Sequence, residues 1–152
     1  MLTVRDGADD VESGYRRILL AIDGSDSSRQ AGTYAFDLAA AYDATVYGIH
    51  IVETRFGSSD PIRRMLEQQG EESIQDARVQ AARASVELVP TEREGDPARE
   101  ILDFAAKQDI DLIVLGTHGR AGFDRVVMGS VASDVIREAK QAVLTVRVKS
   151  SE

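Results

Sequence analysis

A run of glycines and hydroxyl side chains between residues 116 and 130 is the part of the sequence best suited to chemistry. It reads Gly116-Thr117-His118-Gly119-Arg120-Ala121-Gly122 and closes at Gly129-Ser130. Glycines tolerate positive φ and let a main chain approach a ligand with no Cβ in the way. Ser130 stands where an amphipathic segment begins. Its hydroxyl, and the free N–H groups of a helix start, can therefore face an anion, and the helix dipole favours negative charge there. The predicted chemistry is phosphate binding, with His118, Arg120 and Arg125 as further sources of donors or charge.

Two other places supply polar groups that such a site would use. Asp23 follows directly on a short apolar run, and His50-Ile51 ends another. Beside a phosphate, Asp23 would act through its main chain, through a carboxylate turned to an adenine amino group or ribose, or through a bridging metal. Its plain alternative is a turn residue ahead of the first helix. His50, inside a strand, reads as a packing or hydrogen-bonding group rather than a ligand. Two histidines without cysteine make no metal-ligand spacing.

The elements that must position these groups follow from periodicity. Ile18–Ile22 and Leu112–Leu115 are short aliphatic runs that predict buried parallel strands. Thr45–Val52, rich in β-branched and aromatic residues, predicts a second strand, Ser85–Val89 a third and Ala142–Val148 the last. Between them lie helical stripes. Ala31, Tyr34, Ala35, Leu38, Ala39 and Tyr42 form one, with Ser27 and Gln30 as a capping box. Ile62, Met65, Leu66, Gln69, Ser73, Ile74, Ala77 and Ala81 form the next, where Gly70 invites a break. Asp96-Pro97 starts a helix with an N-cap acid and a proline at its first position, and Ala98, Ile101, Leu102 and Ala105 line it. Val131, Val135, Ile136 and Ala139 mark the last. The alternation predicts an α/β fold, one parallel sheet with helices on both faces. Nucleotides bind such sheets beyond the carboxyl ends of the strands, which is where Asp23, Ile51 and the Gly116–Ser130 loop would meet.

Composition narrows the function. The chain has 152 residues, enough for one domain with a real core. Residues 1–14 are expected to be a flexible extension, and 15–149 the domain. No apolar run is long enough to span a membrane or act as a secretory signal, so a cytoplasmic protein is expected. A formal charge of −8 has the wrong sign for a nucleic-acid footprint. It reads as solubility or, since only three lysines accompany fifteen arginines among eighteen basic residues, as adaptation to high salt. There is no G-x-G-x-x-G after the first strand and no G-x-x-x-x-G-K-[ST], which disfavours a dinucleotide site and a P-loop. A phospho-receiver would cluster acids after the first strand, where Asp23 stands with only Asp26 nearby.

The spacing Gly116-x2-Gly119-x9-Gly129-Ser130, after a buried strand and opening onto a helix, resembles the nucleotide-binding members of the universal stress protein family. The stretches ILLAIDGS (Ile18–Ser25), EGDPAREIL (Glu94–Leu102) and DLIVLGTHGR (Asp111–Arg120) agree with it. The resemblance covers about residues 16–148. It implies an open five-stranded parallel sheet in the order 3-2-1-4-5, a Rossmann-like fold of the adenine nucleotide alpha hydrolase-like kind, and a dimer. It also implies that Asp23 and Ile51 meet adenine largely through main-chain groups and that the Ala21 carbonyl lies near the ribose. By the same resemblance Gly116 and Gly119 flank the phosphates, Gly129, Ser130 and Val131 grip them, and His118 and Arg120 lie within the loop. Where similar chains carry proline before the last strand, this one has Gln141-Ala142.

The expected function is therefore binding of ATP, with or without Mg2+, by a stress-response regulator. No nucleophile is paired with an evident base, which favours binding over fast turnover. The alternatives are a slow ATPase or autophosphorylating enzyme, and a dimer indifferent to nucleotide, which would not need the glycines. A homodimer is expected through Ala142–Val148, read as an open edge whose N–H and C=O groups invite pairing, unless the chain's own N-terminal extension covers it.

Overall fold

The computed structural model describes residues 2–3, 14–53, 60–118 and 129–148. The elements are β1 (Leu2–Thr3), β2 (Arg17–Ala21), α1 (Asp26–Tyr42), β3 (Thr45–Val52), α2 (Asp60–Ala84), β4 (Leu88–Glu94), α3 (Pro97–Lys107), β5 (Leu112–Gly116), α4 (Ser130–Glu138) and β6 (Ala142–Val146). Strands β2 to β6 are parallel and lie in the order β4-β3-β2-β5-β6. Numbered among themselves they run 3-2-1-4-5. Right-handed crossovers place α1 and α2 on one face and α3 and α4 on the other. None of these helices is long and apolar enough to cross a membrane.

The aliphatic runs become strands because the sheet is covered on both faces, so neither set of alternating side chains meets water. Ile18, Leu20, Leu112 and Val114 point into the cluster under α1 and α2. Leu19, Ile113, Leu115 and Val143 point into the one under α3 and α4. Full burial of each such side chain contributes about 1.5–3 kcal/mol. The two central strands thus make a rigid floor, and their carboxyl ends carry Asp23 and the loop after Gly116.

Several local expectations are corrected by packing. The third strand is Leu88–Glu94, not Ser85–Val89. Ser85 takes φ 56° and stops α2 in a left-handed turn. β4 is an edge strand whose Glu92 and Glu94 face water, which hid its alternation, and edge position tolerates Pro90. In α1 the inward residues are Ala31, Gly32, Ala35, Phe36 and Ala39, while Tyr34 and Tyr42 stay half exposed. Its cap is Ser25, whose Oγ accepts from the Ser28 N–H at 3.1 Å, rather than Ser27. Ile62 and Met65 of α2 are exposed, and its packing face is Gly70, Ser73, Ala77 and Ala81. The helix does not break at Gly70. The buried His50 ring packs there, and a Cβ would stand 2.9 Å from His50 Nε2. The expected start of α3 is observed, with Asp96 Oδ2 accepting from the Arg99 N–H at 3.1 Å.

The edge of β6 is not open along its length. β1 pairs with it antiparallel, Leu2 opposite Leu144 and Thr3 opposite Val143, as a sixth strand from the N-terminal extension. The remainder of that extension up to residue 13, and the expected ending of the domain at residue 149, lie outside the described residues.

Candidate functional site

The floor of the site is the carboxyl end of β2. The chain leaves the sheet through Ile22, whose N–H donates to the Ile49 carbonyl at 2.8 Å, and turns at Asp23-Gly24 into α1. Gly24, at φ 80°, takes the left-handed conformation that this turn requires. Asp23 Oδ1 accepts from the Ser25 N–H at 2.8 Å, which makes the residue a turn cap. The Asp23 N–H donates to Ser28 Oγ, and that hydroxyl donates to the Ala21 carbonyl, both at 3.1 Å. Asp23 and Ala21 are thus joined through one buried serine.

Ser25, Ser27 and Ser28 are all buried, although serine is usually a surface residue. Each hydroxyl is bonded, as burial demands. Ser27 Oγ makes a short hydrogen bond to the His118 carbonyl, with Ser25 Oγ at 3.4 Å from the same oxygen. The cluster ties the start of α1 to the chain leaving β5. It also explains Gly116: a Cβ there would stand 2.7 Å from the Ser27 carbonyl carbon, too close for any other residue. Reading the sequence put Ser27 at a helix cap and gave Ser25 and Ser28 no role. The available signal was the hydroxyl-rich run Ser25-Asp26-Ser27-Ser28 directly after Asp23-Gly24.

The loop is pinched at its neck. The Thr117 N–H donates to the Val146 carbonyl at 2.9 Å, and the Gly129 N–H donates to the Thr117 carbonyl at 2.6 Å. Thr117 Oγ1 and His118 Nδ1 lie 3.0 Å apart. Both ends of the segment between His118 and Gly129 are therefore fixed to β6 and to each other. Gly119 and Arg120 lie outside the described residues, as does Arg125.

α4 starts at this neck. Its N-cap is Gly129, which brings no side chain to the first turn, in contrast to Ser25 and Asp96. Ser130, the first helical residue, is exposed. The N-terminal N–H groups of a helix have no intrahelical partner, and among the described residues no side-chain acceptor caps them at Gly129. Behind them Val131 packs on the cluster that also carries Ala21 and Ile51. The Ile49 carbonyl faces β2. Strand alternation turns the main-chain groups of Ile51 the same way, toward the space beyond the end of β2.

The structure thus gathers Ala21, Asp23, Ile51, Gly116, His118, Gly129, Ser130 and Val131 at one end of the sheet. His50 is not among them; it is buried toward α2, with Nδ1 3.6 Å from Glu92 Oε2. Among the described residues no group of three or more histidine or acidic side chains is arranged to hold a metal.

Relatives resemble this chain in sequence and in fold. A universal stress protein of Methanocaldococcus jannaschii is 36% identical over 148 residues, which is 93% of this chain and 87% of that one. The structure of the universal stress protein from Archaeoglobus fulgidus in complex with dAMP matches at TM-score 0.70 and 25% identity, over 88% of this chain and 98% of that one. A universal stress protein in complex with cAMP matches at TM-score 0.68 and 27% identity, over the same shares. Residues 14–147, nearly everything between the N-terminal edge strand and the end of β6, match the model of the universal stress protein family, and the chain belongs to that family.

Proposed function

We propose that this protein binds ATP, with Mg2+ carried on the phosphates, at the carboxyl end of its sheet and serves as a nucleotide-controlled, cytoplasmic stress-response regulator. The observation that carries the reading is the start of α4, capped by a glycine rather than a polar side chain, at the neck of a glycine loop beside the end of β2. Phosphate oxygens would take the place of the missing capping acceptor at Gly129, Ser130 and Val131, with Gly116 and Gly119 flanking and His118 and Arg120 within reach of the loop. Adenine would lie over the end of β2. Its amino group needs an acceptor, which the Asp23 carboxylate provides. Its ring nitrogens need a donor, which the Ile51 main chain provides. The Ala21 carbonyl would border the ribose. The neighbours that bind dAMP and cAMP support an adenine nucleotide as the ligand class.

The working form in this reading is a homodimer paired along β6, with nucleotide occupancy reshaping the Gly116–Ser130 loop as a surface for a further protein. Denaturing the purified protein and identifying the released small molecule by mass spectrometry, followed by calorimetric titration with ATP, AMP and cAMP, tests the ligand. No binding at millimolar ATP with magnesium would end the proposal. Turnover should fall far below the ~10 s⁻¹ typical of enzymes. Robust hydrolysis, lost in Ser130→Ala, would instead make the protein an ATPase.

A further inference from the structure

We infer that β1 is a built-in competitor for the edge on which a second copy of this chain would pair, so that self-association requires both protomers to release it. The inference rests on the homodimer reading above and adds its regulation. Val146 directs its carbonyl to Thr117, on the β5 side. Main-chain groups alternate along a strand, so Val143 and Thr145 direct theirs outward. Thr3 stands opposite Val143, on the first of these two outward positions. A two-fold pairing centred on Leu144 would set Val143 of each copy against Thr145 of the other. It needs the same N–H and C=O of Val143 that β1 occupies.

Direction strengthens the conflict. Edge strands related by a two-fold axis pair antiparallel, and β1 already runs antiparallel to β6. β1 thus imitates the partner strand, and it is tethered. A tethered segment acts at an effective concentration of order millimolar, so even a two-residue strand competes with a partner at micromolar concentration. Two caps must open for each dimer. If each is closed half the time, the apparent dissociation constant rises about fourfold, since each protomer contributes a factor of two.

Dilution series by analytical ultracentrifugation on the wild type, Thr3→Pro and Thr145→Pro test this. Thr3→Pro removes the N–H that faces Val143. The dimer dissociation constant should fall about fourfold or more. Thr145→Pro removes an outward donor that no described residue of β1 faces and that the dimer would use, at an edge position that tolerates proline, and should raise the constant. A wild-type dimer whose constant is unchanged or weakened in Thr3→Pro would overturn the inference and leave the dimer standing. Absence of association in both the wild type and Thr3→Pro near millimolar concentration would remove the dimer and the inference together. Hydrogen exchange on dilute monomer gives an independent readout: Val143 should exchange more slowly than Thr145 in the wild type and equally fast in Thr3→Pro. Equal rates already in the wild type would also overturn it.

Discussion

The starts of α1 and α4 lie at the same end of the sheet and are built in opposite ways. At α1 the cap is a side chain of the protein: Ser25 Oγ takes the Ser28 N–H and Asp23 takes the Ser25 N–H, while the Ser27 hydroxyl donates across to the His118 carbonyl. The hydroxyls are buried, and the helix cap is finished by the chain itself. At α4 the cap is a glycine, the next residue is exposed, and the chain contributes no side-chain acceptor from the cap position. Both helix starts present the same positive end of a dipole. The difference lies in the cap, a serine hydroxyl at one and a glycine at the other. In the proposed reading, the first terminus is kept as structure and the second is held ready for a ligand by the capping residue alone.

The comparison can be broken from either side. Gly116→Val should have the largest effect, because its side chain would strike the Ser27 main chain on the finished side. Overpacking of this kind costs about 1–3 kcal/mol or more. The melting temperature without nucleotide should drop by several degrees, about 2–4 °C for each kcal/mol in a domain of this size. Gly129→Val should leave the melting temperature nearly unchanged while reducing ATP affinity well beyond tenfold in calorimetry. If the two variants behave alike, the distinction between the regions fails. Ser130→Ala should lose one charge-assisted hydrogen bond, about 1.5–3 kcal/mol, or roughly tenfold or more in affinity, with the fold intact by circular dichroism. Asp96→Ala sharpens the contrast at a third helix start, where the cap is purely structural. It should cost about 1 kcal/mol of stability, read by denaturant unfolding, and leave nucleotide affinity within experimental error.

Much of this was legible beforehand, for a reason that differs by element. Leu112–Leu115 and Thr45–Val52 declared themselves because strands covered on both faces need near-continuous apolar runs. Asp96-Pro97 declared itself because an N-cap and a proline act within one turn. β4 did not, since an edge strand carries charges on its wet side and its pattern blurs. The inward face of α1 was misjudged at Phe36. Helical spacing leaves neighbouring stripes nearly equivalent until the position of the sheet selects one.

The same division runs through the site. Sequence by itself determined where the glycines and the serine at the start of α4 stand, because their chemistry depends on local backbone freedom and on spacing along one chain. It also determined that the surrounding runs must stack into a parallel sheet. Only the tertiary structure decided that Ser27 meets the His118 carbonyl 91 residues away, that Gly116 is required by that approach, and that Gly70 accommodates His50. Only the tertiary structure, too, brought Leu2–Thr3 onto the edge of β6. Those are contacts between distant segments. Each depends on where the sheet sets two chains side by side, a distance that no local pattern encodes.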